Sequence, residues 1–139
     1  MVRNTIPKAP SMATTEADLN YDRLLRSNLE RVFNERDAER RATALAELYV
    51  DDPVMFEPDA VVRGRDAIGA VAGKLLEQFG PTFTFVPEGS AVGHHGLAVL
   101  RWHAGPQGGP IAVTGADAAE FEGGRIARLW VLLDTPPTA

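Results

Sequence analysis

The sequence contains no cysteine among its 139 residues. This absence excludes disulfides, thiolate metal ligands and a cysteine nucleophile, and it is typical of proteins from reducing compartments. A basic excess is also missing, because 14 Lys and Arg stand against 19 Asp and Glu, for a formal net charge of -5. Without a basic stripe the chain has little to attract a phosphate backbone, so nucleic acid is not an expected partner.

Long hydrophobic runs are absent as well. No apolar run approaches the roughly 20 residues that span a bilayer, and the opening MVRNTIPKAPSMATTEA lacks the apolar stretch of a signal peptide. We therefore expect a cytoplasmic protein with no membrane partner. The length suits one domain that can bury a core without disulfides. The composition of residues 1–14 predicts a disordered tail, which leaves a single domain over residues 15–135.

Helical periodicity is present in the first third of this domain. Apolar residues at the spacing of one helical face predict a first helix over about 16–36. Asp37 is placed to cap a second helix, whose apolar stripe continues to Tyr49 before Asp51 to Pro53 break it.

A third helix carries the clearest amphipathic stripe of the chain. Its apolar residues recur from Ile68 to Phe79, and Gly80 with Pro81 is expected to end it. Between the second and third helices, VMFEPDAVVRG predicts a short hairpin that turns at Pro58 and Asp59.

The remaining residues alternate glycine and β-formers with turns, and no helical period survives. They predict four strands, near residues 82–92, 97–104, 111–122 and 125–133. Three helices, a hairpin and a long antiparallel meander together predict an α+β fold with the helices packed on one face of the sheet.

Three strings in this order resemble the SnoaL-like polyketide cyclases and ketosteroid isomerases of the nuclear transport factor 2-like superfamily. They are VDDPVMFEPDA (50–60), GRDAI (64–68) and VTGADAAEFEGGRIARLWVLLD (113–134). The resemblance implies a cone-shaped domain whose curved antiparallel sheet closes over three N-terminal helices around a pocket for a hydrophobic small molecule. It also implies a homodimer. It is less specific for a reaction, because this fold carries isomerases, cyclases, dehydratases, hydrolases and binding proteins.

Asp117 is the first candidate for chemistry, since it lies mid-strand with Ala119 and Phe121 on its face. Desolvation there would raise its pKa, so that the acid could donate a proton or a hydrogen bond to a developing oxyanion. The resemblance places the strand acid of the family at this position. The alternative is a structural ion pair, because a turn at Gly123 and Gly124 would place Asp117 opposite Trp130 with Arg128 diagonal to it.

Glu57 is the second candidate, because Pro58 forces it into an extended conformation at the end of a strand, beside Met55 on the same face. The resemblance places the general base of the isomerases at this point, where the family has an aspartate. The alternative is a solvated carboxylate at a turn.

The oxyanion-hole tyrosine of the isomerases aligns with Leu29, so no phenol stands there. Tyr21 and Tyr49 lie elsewhere on the predicted helices. His103 is a third candidate for proton transfer, because an imidazole titrates near neutral pH and the cyclase relatives pair a histidine with the strand acid. The sequence does not decide which face of the sheet His103 lies on, because alternate residues of this strand point to opposite faces and either the residues that share the face of His103 or those that share the face of Trp102 could point inward.

We therefore expect a cofactor-independent enzyme, with no metal site, that isomerises or cyclises an enolisable hydrophobic carbonyl compound. Asp117 would protonate or stabilise the oxyanion, and Glu57 or His103 would remove the proton. A noncatalytic ligand-binding or dimerisation module of the same fold is the alternative. The residues expected to bind the substrate are Met55, Trp130, Leu29, Phe33, Tyr49 and Phe121.

Overall fold

The computed structural model describes residues 19–135. The predicted tail over residues 1–14 lies outside the described residues. The helical segments are α1 (Tyr21–Asn28), a π-helix (Leu29–Phe33), α2 (Ala38–Leu48) and α3 (Arg65–Phe79). The strands are β1 (Tyr49–Glu57), β2 (Ala60–Arg63), β3 (Phe83–His94), β4 (Leu97–Pro106), β5 (Val113–Glu122) and β6 (Arg125–Leu133).

Local sequence signals set several of these boundaries. The Asp37 carboxylate accepts a hydrogen bond from the Arg40 backbone N–H at 2.9 Å, which caps α2 as predicted. Gly80 ends α3 with φ 96°, a left-handed conformation that glycine adopts without strain. The predicted end of α2 is wrong, because Tyr49 is already extended (φ -115°, ψ 150°) and opens β1. Asp51 to Pro53 therefore belong to a strand.

The six strands form one sheet in the order β2-β1-β6-β5-β4-β3. Strands β3 to β6 are an antiparallel meander, and β1 with β2 is the predicted hairpin, closed at Glu57 and Ala60. The α+β class, with a sheet on three helices, is confirmed. One pairing departs from the antiparallel prediction, because β1 runs parallel to β6. The connection between them passes through α3 and four strands, long enough for a parallel crossover.

The inner face of the sheet packs against the helices, and β4 shows the alternation most clearly. Ala98, Leu100, Trp102 and Ala104 are buried, whereas Arg101 is exposed. Trp102 therefore points inward, and His103 belongs to the outward-facing set.

The pairing of β5 with β6 contains a β-bulge, which shifts the register by one residue from the predicted one. Phe121 pairs with Ile126, as a two-residue turn at Gly123 and Gly124 requires, but Glu120 pairs with Arg128, so Ala127 is an extra residue on β6. Asp117 consequently pairs with Val131, and the predicted pairing with Trp130 is wrong. Because a shift of one residue exchanges the two faces of a strand, Trp130 is placed on the outer face.

Within residues 19–135, every helix is too short or too polar to cross a bilayer.

Candidate functional site

A cavity of about 360 Å³ opens between the helices and the inner face of the sheet. This volume lies within the range of small-molecule sites. Apolar side chains supply most of its wall, among them Leu29, Phe33, Leu75, Phe79, Phe83 and Phe85. Asp117 and Glu57 are the two ionisable side chains that line it among the described residues. The wall is therefore an apolar surface with two carboxyl groups.

Asp117 lies in the middle of β5 and is only 4% exposed. The indole Nε1–H of Trp102 donates a hydrogen bond to its Oδ1 atom at 2.9 Å. Burial raises the pKa of Asp117 to about 7, and the donors Trp102 and Asn28 partly oppose that rise. Arg128 is engaged with Glu120 and Glu122 instead, so the alternative ion pair with Asp117 is not formed.

A buried polar chain supports Asp117 from behind. The Tyr49 hydroxyl donates to Asn28 Oδ1 at 2.5 Å, and both residues are fully buried. This bond orients the Asn28 amide, whose Nδ2 atom has no partner at ordinary hydrogen-bond geometry but still lowers the pKa of Asp117. Burial first, and the charge of Asp117 second, raise the pKa of Tyr49 well above its usual value. Tyr49 is therefore a neutral donor in this chain.

Asn28 was missed by the sequence analysis. Its signal was a single amide on the apolar face of the first helix, three residues after Leu25 and four before Val32, both fully buried. A polar side chain at such a position needs a partner inside the protein. The sequence does not identify that partner, because Tyr49 and Asp117 come from distant elements.

Replacing Asn28 with leucine is expected to raise the pKa of Asp117 above its wild-type value, because the amide favours the ionised carboxylate. The substitution also leaves the Tyr49 hydroxyl buried without a partner, at a cost of about 1–3 kcal/mol. The double variant Asn28→Leu/Tyr49→Phe keeps the pKa effect and removes that cost. Titration of the Asp117 carboxyl by ¹³C NMR measures the shift, and an unchanged or lower pKa contradicts the assignment.

Glu57 lies at the end of β1 and is half-buried. Burial, and then the nearby charge of Asp59, raise its pKa above the usual value. Phe56 pairs with Trp130 and Asp117 pairs with Val131, so Glu57 and Asp117 lie on the two strands that flank β6. Two strand spacings put their backbones about 10 Å apart on the same face. One small molecule between these strands could therefore contact both carboxyl groups.

Five of the six predicted substrate-binding residues divide into two groups. Leu29 and Phe33 line the cavity. Met55, Tyr49 and Phe121 are buried in the core beside it but do not line it, and Tyr49 acts on the site only through Asn28. These three residues were predicted to bind the substrate, but an apolar residue at an inward-facing position can lie in solid core as well as in a cavity wall.

Trp130 and His103 are not brought to the cavity. Trp130 stacks on Phe56 on the outer face, with ring centroids 5.0 Å apart, because the irregularity of β6 reverses its side. His103 Nδ1 lies 2.7 Å from Glu88 Oε2, also on the outer face, because the apolar set of β4 takes the inner one. His103 was the predicted histidine partner of Asp117, and the structure places the two residues on opposite faces of the sheet.

Gly115 makes room for the indole that holds Asp117. A Cβ atom at Gly115 would lie 2.3 Å from the Leu132 carbonyl oxygen and 3.0 Å from the Trp102 ring. The absence of a side chain therefore lets Trp102 lie against β5.

The variant Gly115→Ala is expected to lose about 1–3 kcal/mol of unfolding free energy and to displace Trp102, because the added methyl group would clash with both the neighbouring strand and the indole ring. Urea denaturation followed by tryptophan fluorescence measures both effects. Gly109→Ala in an exposed loop is the matched control, since the nearest atom there is 3.2 Å away on Pro106. A loss no larger than that of the control contradicts this packing argument.

Comparison with known proteins defines the class. The family model described as the SnoaL-like domain matches residues 28–129, so the chain belongs to the SnoaL-like domain family. The predicted family resemblance is thereby confirmed. No curated protein matches the chain.

Solved structures share the fold. A protein from Agrobacterium tumefaciens proposed to be an isomerase of the SnoaL-like family superposes with a TM-score of 0.74 at 24% identity, over 81% of this chain and 96% of that one. A proposed polyketide cyclase from Sinorhizobium meliloti gives 0.58 at 19% identity, over 85% and 99%. A nuclear transport factor 2-like protein of unknown function from Cytophaga hutchinsonii gives 0.59 at 14% identity, over 86% and 90%. At these identities the likeness shows the fold alone.

Proposed function

We propose that the protein binds an apolar carbonyl compound in this cavity and catalyses an acid–base isomerisation or cyclisation without a cofactor. The observation that carries the proposal is the pair of carboxyl groups on one apolar wall, in two different environments. Asp117 is buried and its pKa is raised to about 7, whereas Glu57 is closer to solvent. Groups held in unlike environments can divide the roles of acid and base. A cytoplasmic location stays a prediction from the sequence.

Asp117 is the acid of the proposed reaction. Its Oδ1 atom accepts the Trp102 hydrogen bond, so the carboxyl proton of the neutral form is carried by Oδ2. That proton can be donated as a hydrogen bond to the substrate carbonyl oxygen, where negative charge develops as the adjacent C–H bond breaks. The low dielectric of the apolar wall strengthens this interaction.

Glu57 is the base. Its carboxylate removes a proton from the carbon next to the carbonyl, and the electron pair of that C–H bond moves to the oxygen to give an enol or enolate. Return of the proton from Glu57 to a different carbon completes an isomerisation. Attack of the nucleophilic carbon on a second carbonyl of the same molecule completes a cyclisation. His103 has no role in this scheme, since it lies on the outer face.

The test is α-proton exchange on a simple neutral ketone, 2-decalone, in deuterated buffer near neutral pH. The protein is expected to accelerate incorporation of deuterium beside the carbonyl, as followed by NMR. Asp52→Asn is the matched control, because Asp52 is an exposed acid on the same strand as Glu57. Binding of the ketone without any acceleration contradicts the enzyme and favours the alternative, a noncatalytic binding module. Leu29, which stands where the isomerases have a tyrosine, is the feature that favours this alternative.

We also propose that the outer face of the sheet pairs with a second copy of the chain. An apolar row crosses this face through residues paired in register: Val61, Phe56, Trp130, Ala118, Val99 and Val92. Val61 is 55% and Val92 is 71% exposed. Both flanks of the row carry both signs of charge, with Arg128 beside Glu120 on one flank and Arg101 beside Asp134 on the other. Because these charges are already paired within the chain, a two-fold pairing can bury the apolar row without burying an unpaired charge of either flank.

Light scattering at micromolar concentration is expected to give about twice the 15.0 kDa chain mass. Trp130→Glu is expected to give the monomer, because it places charge in the centre of the row. Phe79→Glu is the control, because it introduces the same charge at another exposed aromatic residue that lies outside this row, and it should leave the dimer intact. A wild-type monomer overturns the proposal.

A further inference from the structure

In the part of the chain that the structure describes, the cavity wall carries two carboxyl groups but no lysine, arginine or histidine. Its ionisable groups are Glu57 and Asp117, and Asp59 adds a third carboxyl group just outside, close enough for its charge to raise the pKa of Glu57. A wall of this kind offers a ligand hydrogen-bond acceptors and one neutral acid, but no cationic partner.

The basic side chains nearest to the wall, Arg36 and Lys74, do not point into the cavity. The Arg36 guanidinium donates to the carbonyl oxygens of Leu76, Gly80 and Phe83 at 3.3, 3.0 and 2.9 Å. Lys74, next to the lining residue Leu75 on α3, is exposed to solvent. Turning the Arg36 guanidinium into the cavity would break three hydrogen bonds to backbone carbonyls, two of them partly buried, so Arg36 is not a counter-ion for a ligand there.

These placements decide which ligand charge the site accepts. A carboxylate that enters the cavity leaves its water shell, finds no cation and faces the like charge of Glu57 across a low-dielectric wall. A ketone of the same size has no such cost, and the Asp117 carboxyl can donate to its oxygen.

We infer that the cavity selects against anionic molecules, that its natural ligand is an uncharged apolar compound, and that Glu57 enforces this selection. The inference rests on the proposed binding of an apolar carbonyl compound in the same cavity and restricts its chemical class. It gives Glu57 a second role, in specificity, which does not depend on proton transfer.

The experiment compares two bicyclic probes of nearly equal size, 2-decalone and decalin-2-carboxylate, at pH 6, where Asp117 with its pKa of about 7 is mostly neutral and the carboxylate probe is mostly ionised. The chain has two tryptophans, so Trp130→Phe leaves Trp102, in the cavity wall, as the sole fluorescent reporter. The carboxylate is expected to bind at least about tenfold more weakly than the ketone. Glu57→Gln is expected to reduce this ratio severalfold. Glu57→Asp, which keeps the charge, and Asp52→Asn, which removes a charge outside the cavity, should both preserve the ratio.

Equal affinity for the two probes overturns the inference, and so does a ratio that Glu57→Gln leaves unchanged while the variant keeps its fold by circular dichroism. If neither probe perturbs Trp102, the inference is overturned as well, because the cavity then takes no apolar ligand. Selective binding of the ketone without α-proton exchange supports the inference while contradicting the proposed catalysis, so the two failures are distinguishable.

Discussion

Asp117→Asn is expected to abolish α-proton exchange and, at the same time, to make the protein more stable at pH 8. The loss of exchange should be on the order of 10²–10⁴-fold, because the asparagine cannot supply the acidic proton. The gain in stability follows from the raised pKa of Asp117, which is about 7 in the folded protein. An aspartate in the unfolded chain has a pKa of about 3.9.

The sign of the pH dependence is fixed by these two pKa values. The folded state holds the proton more tightly than the unfolded state, so the stability contributed by this group is fully present below about pH 4. This contribution to the free energy of unfolding is lost as the pH rises to about 7, and above that pH the loss is constant at roughly 4 kcal/mol. The neutral amide of Asp117→Asn never carries this cost.

The measurement is urea denaturation of the wild type and Asp117→Asn at pH 5 and pH 8. Other acids also titrate, and the pKa values of Asp22 and Asp134 are lowered by their partners, so the difference between the two proteins isolates Asp117. That difference should favour the variant more strongly at pH 8. Asp52→Asn, which removes an exposed charge, should show no such change. A difference that is independent of pH contradicts the burial argument.

Glu57→Gln is expected to lower α-proton exchange by roughly 10²–10⁴-fold, because the amide cannot remove a proton. Binding of 2-decalone should stay within about twofold, since a neutral ligand makes no ion pair with Glu57. Glu57→Asp should recover only part of the rate, because the side chain is one methylene shorter and the base must reach the carbon-bound proton. Exchange is measured by NMR with Asp52→Asn as the control.

Exchange at the wild-type rate in Glu57→Gln would place the base elsewhere. The half-buried position of Glu57, at the end of β1 and beside Pro58, is what assigns it this role. A normal rate would therefore leave Glu57 only its role in ligand selection.

The parts of the fold that follow from local chemistry were predictable. Asp37 caps α2 through its own side chain, Gly80 ends α3 in a conformation that favours glycine, and Pro58 with Asp59 forms the hairpin turn. Each of these signals acts within a few residues of itself.

The parts that depend on distant contacts were not predictable. The extra residue at Ala127 on β6 reverses the face of Trp130, and no turn or cap near it signals the shift. The face of His103 depends on which side of β4 meets the helices, because both alternating sets contain apolar residues. Asn28 is defined by Tyr49 and Asp117, which come from two other elements.

The candidate site was predictable to the same extent. The presence of Asp117 and Glu57 at one wall followed from their strand positions and the family resemblance, and the structure places both there. The donors that control the acid, Trp102 and Asn28, required the three-dimensional arrangement, since only the packed sheet brings the indole to Oδ1.

The most direct test of the account is the pKa of the Asp117 carboxyl itself, measured by ¹³C NMR between pH 4 and pH 9 on the full chain. The buried position of Asp117 predicts a midpoint of about 7, with desolvation as the main cause. It also predicts that the Trp102 Nε1–H resonance shifts with the same midpoint, because that group donates to the titrating carboxyl. A midpoint near 4, with no linked change at Trp102, would contradict a buried acid held for proton donation.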